Sequence, residues 1–275
     1  MKKLKLFYYS ENENFGDALS VFISRKLYNK PVALSPATRC NAVFIGSLLH
    51  CFLTKKNLLA RMPFLLFPAV SVWGAGFIER PDLVQQKLLR RLDVYACRGY
   101  LTLESLKSSH CAGVAKNVVI ADPGILAGRL TDTAGTEKKY SLGVIPHYVD
   151  KNSPLLSGVK VENSVVIDIQ QKPETVIRRI SECENIISSS LHGLIAADSL
   201  NIPNVRMVLS DKISGGDYKY NDYYSAFGLD EHEKIILAQR EFTDKDLPGI
   251  KAGYRIRQEE VTRMQDALLA VFPFR

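Results

Sequence analysis

The sequence predicts an α/β fold built on parallel sheets, and three observations carry that prediction. Short apolar runs of strand length alternate with segments whose apolar residues recur at helical spacing. Most of these runs end in glycine, proline or a polar turn, as strands do where they feed a helix. A stretch rich in Thr, Gly, Lys and Glu at 129–140 interrupts the alternation, which then restarts, so it reads as a linker.

Residues 4–9, apolar and aromatic, form the first expected strand. A polar turn over 10–17 follows, and Leu19, Phe22, Ile23 and Leu27 mark a helix with Asp17 at the N-cap position. Residues 41–45 give a second strand ending in Gly46-Ser47. The hydrophobic run 48–72 is interrupted by Lys55, Lys56, Arg61, Pro63 and Pro68. It therefore falls short of the ~20 uninterrupted apolar residues of a membrane span and is expected as buried helix and strand. Residues 70–73 are a strand running into Gly74-Ala75-Gly76. Residues 81–91 read as an amphipathic helix begun by Pro81, with Leu83, Lys87 and Leu88 among its faces. Residues 94–97 are a strand turned by Arg98-Gly99 into a helix over 101–106, and 118–121 a strand turned by Asp122-Pro123-Gly124.

After the linker, 140–145 is a strand ending in Pro146-His147-Tyr148 and 165–169 another. A helix over 172–183, a strand over 185–189, a helix over 191–200 and a strand over 205–209 follow. Ser214-Gly215-Gly216 turns into a tyrosine-dense segment at 218–224, suited either to a packed helix face or to a sugar platform, since a flat ring with a polar tip serves both. A helix over 255–272 ends the chain with Val261, Met264, Leu268 and Val271 on one face.

Composition narrows the function classes. Hydrophobic residues at 46% and charged residues at 24% are ordinary globular values, which argues against disorder. The formal charge of +7 comes without a block of consecutive basic residues, so an anionic ligand or acidic surface is expected rather than nucleic acid. Five scattered cysteines (Cys40, Cys51, Cys97, Cys111, Cys183) lack any C-x-x-C spacing, and the first apolar run is too short for a signal-peptide core. Buried thiols in a reducing cytoplasm are the expectation. The His and Cys residues show no metal-ligand spacing.

The chemistry is expected at Ser188-Ser189-Ser190-Leu191-His192-Gly193, a strand end passing through a tight turn into a helix. The first turn of a helix offers unpaired N–H groups and the positive end of the macrodipole, an anion site. His192 adds a titratable ring, Gly193 lets a ligand approach the backbone, and the serines add hydroxyls. The plainer alternative is Ser190 as a helix cap and His192 as a surface histidine. Asn14-Phe15-Gly16-Asp17, Gly74-Ala75-Gly76, Arg98-Gly99, Asp122-Pro123 and Pro146-His147 hold the same place relative to their strands. In an open α/β sheet the carboxyl ends of the strands line one crevice, so these residues are expected to meet.

Five marks together resemble the polysaccharide pyruvyl transferase family: Asn14-x-Gly16-Asp17, Trp73-Gly74-Ala75-Gly76, Arg98-Gly99-x-Leu101-Thr102, Ser189-Ser190-Leu191-His192-Gly193, and Tyr218-Lys219-Tyr220-x-Asp222-Tyr223-Tyr224. The resemblance runs from the first strand to about residue 228. It implies two Rossmann-like domains facing a cleft, similar to the B-type glycosyltransferases, here at 1–132 on the acceptor side and 138–275 on the phosphoenolpyruvate side, with the last helix packing back on the first. The implied reaction moves the three-carbon unit of phosphoenolpyruvate onto a sugar of a capsule, exopolysaccharide or cell-wall precursor, closing a ketal and releasing phosphate, with no cofactor.

On that resemblance the catalytic candidates are Asp17 as base, His192 as acid or phosphate ligand, and Arg98 as the bidentate cation, since a carboxylate-phosphate donor needs a forked cation and an anion-binding helix end. Asp17 as a mere helix cap is the alternative, and His147 is a second base. Asn14, Gly16, Gly74, Gly76, His147, Ser189, Ser190, Leu191, Gly193, Lys219 and Tyr223 are the expected substrate-binding residues. Some members carry Arg-Leu-His where this chain has Ser190-Leu191-His192, so a cation is missing there and Arg206 is a replacement candidate. The rival readings are a sugar-nucleotide glycosyltransferase of the same shape and a glycan-binding relative without catalysis. A lipid-linked oligosaccharide acceptor would put the protein at the inner face of the cell membrane, with peripheral contact through 48–67, where Lys55, Lys56 and Arg61 flank the apolar residues.

Overall fold

The computed structural model describes residues 3–10, 14–229 and 232–274; part of the expected turn after the first strand, residues 11–13, lies outside them. The first part of the chain holds strands β1 (Leu4–Leu6), β2 (Val32–Leu34), β3 (Ala42–Val43), β4 (Leu53–Thr54), β5 (Val70–Trp73), β6 (Lys87–Leu88), β7 (Leu92–Cys97) and β8 (Ala112–Ile120). Among them lie helices α1 (Phe15–Tyr28), α2 (Leu58–Leu65) and α3 (Tyr100–Lys107). The rest holds β9 (Leu142–Ile145), β10 (Val159–Lys160), β11 (Ser164–Val166), β12 (Ile186–Ser188), β13 (Asn204–Val208), β14 (Lys234–Ile236) and β15 (Phe242–Thr243). Its helices are α4 (Pro173–Ser181), α5 (Leu191–Ser199), α6 (Tyr218–Ser225), α7 (Leu247–Gly253) and α8 (Gln258–Ala270).

Two large, wholly parallel sheets result, in strand orders β2-β1-β3-β5-β7-β8 and β11-β9-β12-β13-β14, beside the two-stranded pairs β10-β15 and β4-β6. The alternation of strand-length and helix-period segments therefore reads as the parallel α/β architecture it predicts. One apolar core joins them, running from Leu6 and Phe15 through Ile125 and Ile195 to Leu268. The last helix lies against the first sheet: Trp73 Nε1 donates to the Leu268 carbonyl at 3.1 Å, and Phe272 stacks on Tyr28 with ring centroids 3.5 Å apart.

Three expected elements differ. Residues 81–91 form a turn and strand β6 rather than a helix. The Asp82 carboxylate accepts from the Val84 and Gln85 N–H groups, the local bonding by which aspartate competes with helix, and Leu88 pairs with Leu53 across β4. The run 48–72 does contain a helix, α2, but Arg61 is its only buried residue. Finally, α1 starts at Phe15 with Asn14 at the N-cap, because the buried Phe15 donates its N–H to the Ile169 carbonyl. Asp17 thus falls in the first turn, and its Oδ1 accepts instead from the Tyr9 N–H at 3.2 Å. All five cysteines are free.

Candidate functional site

The carboxyl ends of β1, β3, β9 and β12 open on one cavity of about 320 Å³, lined from both sheets by Asn14, Asp17, Ser47, His50, His147, Ser190, Leu191, His192 and Lys219. Parallel strands put their turn residues at one edge, so residues far apart in sequence arrive together.

His192 stands in the first turn of α5, 8% exposed. Its Nε2 lies 3.7 Å from Asp122 Oδ2, too far for a hydrogen bond, and both atoms are buried without a partner among the described residues. Gly16 lies against the imidazole, where any Cβ would overlap the ring. That close approach explains why Asn14-Phe15-Gly16-Asp17 carries glycine at its third place. Burial raises the Asp17 carboxyl to about 6, against the lowering pull of the Tyr9 N–H, His192 and the Asn14 amide. Asn14 Oδ1 is itself buried and has no hydrogen-bond partner among the described residues. Burial, with Lys219 and His192 nearby, pushes the His147 imidazole down to about 4.

Lys219, on α6, is 8% exposed, and no hydrogen bond or ion pair holds its ammonium among the described residues. Burial, helped by Arg98 and Arg206, brings it down to about 7. The serines divide. Ser188 Oγ lies 3.0 Å from the Ile145 carbonyl and accepts from the Ser190 N–H, and Ser189 Oγ accepts from the His147 N–H at 2.8 Å. Ser190 heads α5, but its hydroxyl makes no capping bond.

The other expected residues stand behind the wall. Arg98 is fully buried. Its Nε donates to Asp222 Oδ2 at 2.8 Å, Nη1 to Ser47 Oγ at 2.8 Å, and Nη2 to the Phe77 carbonyl. Asp222 also accepts from the Thr102 N–H at 2.8 Å and from Thr102 Oγ1 at 2.7 Å. An α6 carboxylate therefore caps the N-terminus of α3 from outside. Two sequence marks, Arg98-to-Thr102 and Tyr218-to-Tyr224, are thus two sides of one buried joint. Gly76 packs on the Arg98 guanidinium, and Gly74, at φ +97, packs on Pro123. Gly193 backs onto Ser188 Oγ. Tyr223 donates to Asp198 Oδ2 at 2.7 Å inside the core, and Tyr220 and Tyr224 are buried as well, so these tyrosines are packed helix face rather than platform. Arg206 pairs with Asp217 at 2.7 Å and lies 3.7 Å above the Tyr220 ring; it does not reach the cavity wall.

Sequence reasoning passed over Tyr9, Ser47, His50 and Lys212, which also line the cavity. His50 receives the Ile78 N–H on Nδ1 at 3.1 Å, and burial lowers its titration. Its place just after the Gly46-Ser47 strand end was the available signal.

Residues 6–211 match the family model described as polysaccharide pyruvyl transferase. The chain is similar to an uncharacterized protein, L143, of Acanthamoeba polyphaga mimivirus, 29% identical over 243 residues, covering 84% of this chain and 77% of that protein. It is also similar to the succinoglycan biosynthesis protein ExoV of Rhizobium meliloti (strain 1021), 27% identical over 235 residues, covering 82% of this chain and 66% of that one. Among solved structures it is similar to a functionally uncharacterized protein of Klebsiella pneumoniae, with a TM-score of 0.47 and 15% identity over 85% of this chain and 92% of that one.

Proposed function

Since the chain belongs to the polysaccharide pyruvyl transferase family, we propose that it moves pyruvate from phosphoenolpyruvate onto a sugar of a cell-surface or exopolysaccharide precursor, closing a ketal and releasing phosphate. We further propose that each sheet is the centre of a Rossmann-like domain, about 1–132 and 138–275, in the manner of the B-type glycosyltransferases, with acceptor and donor meeting in the cavity.

The observation that carries this reading is one cavity that holds the His192 ring on the first turn of α5, its Nε2 unpartnered among the described residues, and the Lys219 ammonium, 5.4 Å from the Tyr220 ring centroid, with Asp17 beside the His192 ring. An anion with two charged ends fits there, its phosphate against Lys219 and the α5 N–H groups. His192 gives a proton to the methylene carbon of the enol, and the neighbouring carbon becomes electrophilic. Asp17 takes the proton of a sugar hydroxyl as its oxygen bonds to that carbon. A second hydroxyl then attacks the same carbon as the bond to phosphate breaks, and its proton leaves with the phosphate. Arg98, its donors held by Asp222, Ser47 and Phe77, acts as a positioning residue through Ser47. Lys219 takes the role that an arginine at position 190 has in some relatives.

The test is a melting series with phosphoenolpyruvate against a panel of sugar nucleotides. Phosphoenolpyruvate alone should raise the melting temperature, and phosphate should appear once a pooled glycan acceptor is added. Stabilisation by sugar nucleotides alone would transfer the site to a glycosyltransferase.

A further inference from the structure

Helix α2 is built inside out. A surface helix ordinarily turns its apolar stripe to the core and its charges to water. Here the one buried residue is Arg61, whose Nε and Nη2 donate to the Leu88 carbonyl at 3.1 and 2.7 Å. Leu58, Leu59, Met62 and Leu66 fall within about 100° of one another around the helix axis, and they are 62, 82, 47 and 77% exposed. Phe67 extends the patch at 43%. Five of the eleven large exposed apolar side chains among the described residues thus lie in ten positions; scattered ones need no explanation, but a contiguous patch does.

The anchoring below is cationic throughout. Arg90 lies 5.3 Å from the Phe67 ring centroid and donates to the Pro68 carbonyl at 2.7 Å, and Arg91 Nη2 donates to the Phe67 carbonyl. Above, Lys55 and Lys56 are exposed where the chain enters the helix. Between Asp17 and Glu79 the sequence has seven basic residues and no acidic one. With 36 basic and 29 acidic residues in all, that stretch carries the entire +7 while the rest of the chain is balanced. No helix among the described residues is long and apolar enough to cross a membrane.

From these observations we infer that α2 is a docking surface for an anionic bilayer, laying its leucines into the interface while Lys55 and Lys56 meet lipid phosphates. The combination of apolar face and basic flank is what such a surface selects. None of these side chains lines the cavity, so the inference stands apart from the proposed reaction.

Vesicle flotation of the full chain tests it. Vesicles of phosphatidylcholine with about 30 mol% phosphatidylglycerol should carry the protein and pure phosphatidylcholine vesicles should not, and about 0.5 M salt should weaken the binding. The double variant L59E/L66E should lose binding about tenfold or more with an unchanged melting temperature, because both side chains are exposed in the folded chain. The variant K55E/K56E should also lose binding to the anionic vesicles with an unchanged melting temperature, since Lys55 and Lys56 are exposed. Absence of wild-type binding, or equal binding by L59E/L66E, overturns the inference. A wild-type dimer dispersed by L59E/L66E, without vesicle binding, would make a second copy the occupant instead. The melting shift with phosphoenolpyruvate should be the same in L59E/L66E and wild type, so a failure here is distinct from a failure of the proposed function.

Discussion

Two buried contacts between a carboxylate and a basic side chain, Arg98 with Asp222 and His192 with Asp122, differ in one respect. Arg98 and Asp222 are fully buried, 2.8 Å apart, and neighbouring groups satisfy both. His192 and Asp122 are nearly as buried, 3.7 Å apart, and each leaves an atom without a partner. Burying an unsatisfied polar atom costs about 1–3 kcal/mol. A completed pair of this kind belongs to the architecture; on the proposed function the incomplete one, whose histidine lines the cavity, is where a ligand supplies the missing partner.

The largest effect should come from breaking the completed pair. Asp222→Ala leaves the Arg98 guanidinium buried without its carboxylate and uncaps α3, and should lower stability by about 3–5 kcal/mol, read from denaturant unfolding. Replacing Arg98 and Asp222 together by leucine should cost less than Asp222→Ala alone, because no unpaired charge remains.

Lys219→Met reverses the pattern. The folded-state pKa of Lys219, about 7, lies below its ordinary 10.5, so its contribution to stability is lost as pH falls from the ordinary value toward 7. Removing it should leave the melting temperature at neutral pH equal or higher. Phosphoenolpyruvate should then give no melting shift, and turnover should fall about 10²-fold, the scale of one lost charge contact in a preorganised site. A variant that melts low but still binds would move Lys219 to the architectural side.

The parallel sheets were legible because alternation of strand and helix periods is a local signal. That His192 and Asp17 line one cavity was legible because both follow strand ends, which the fold brings to one edge. Arg98 and Tyr223 were not: their residue types suit a site, but whether a guanidinium meets a ligand or Asp222 depends on where α6 lands, 124 positions later in the chain. The turn at 81–91 was misread because its helical spacing is real, while Asp82 and the pairing of Leu53 with Leu88 override it.

The acidic and alkaline limbs of activity sharpen the same contrast. On the proposed reaction Asp17 must be deprotonated to take a hydroxyl proton, and its pKa is raised to about 6; Lys219 must stay protonated to hold phosphate, and its pKa is lowered to about 7. Activity at low phosphoenolpyruvate concentration should therefore peak between about pH 6 and 7 and fall by up to about tenfold per unit on either side. Lys219→Met should alter the alkaline limb while keeping the acid one.

The smallest effect should lie in the serine run, where three like side chains have three fates. Ser188 and Ser189 bond inside the protein, and Ser190 has no hydroxyl partner among the described residues although it heads α5. An N-cap whose side chain caps nothing contributes little to its helix, so Ser190→Ala should change stability by no more than about 0.5 kcal/mol. Ser190 lines the cavity, and losing one neutral hydrogen bond to a bound phosphate should weaken phosphoenolpyruvate by only several-fold, about 1 kcal/mol, measured by titration calorimetry. A large loss of stability would make Ser190 the cap that its position suggests, and would leave the cavity relying on Lys219 and the α5 backbone alone.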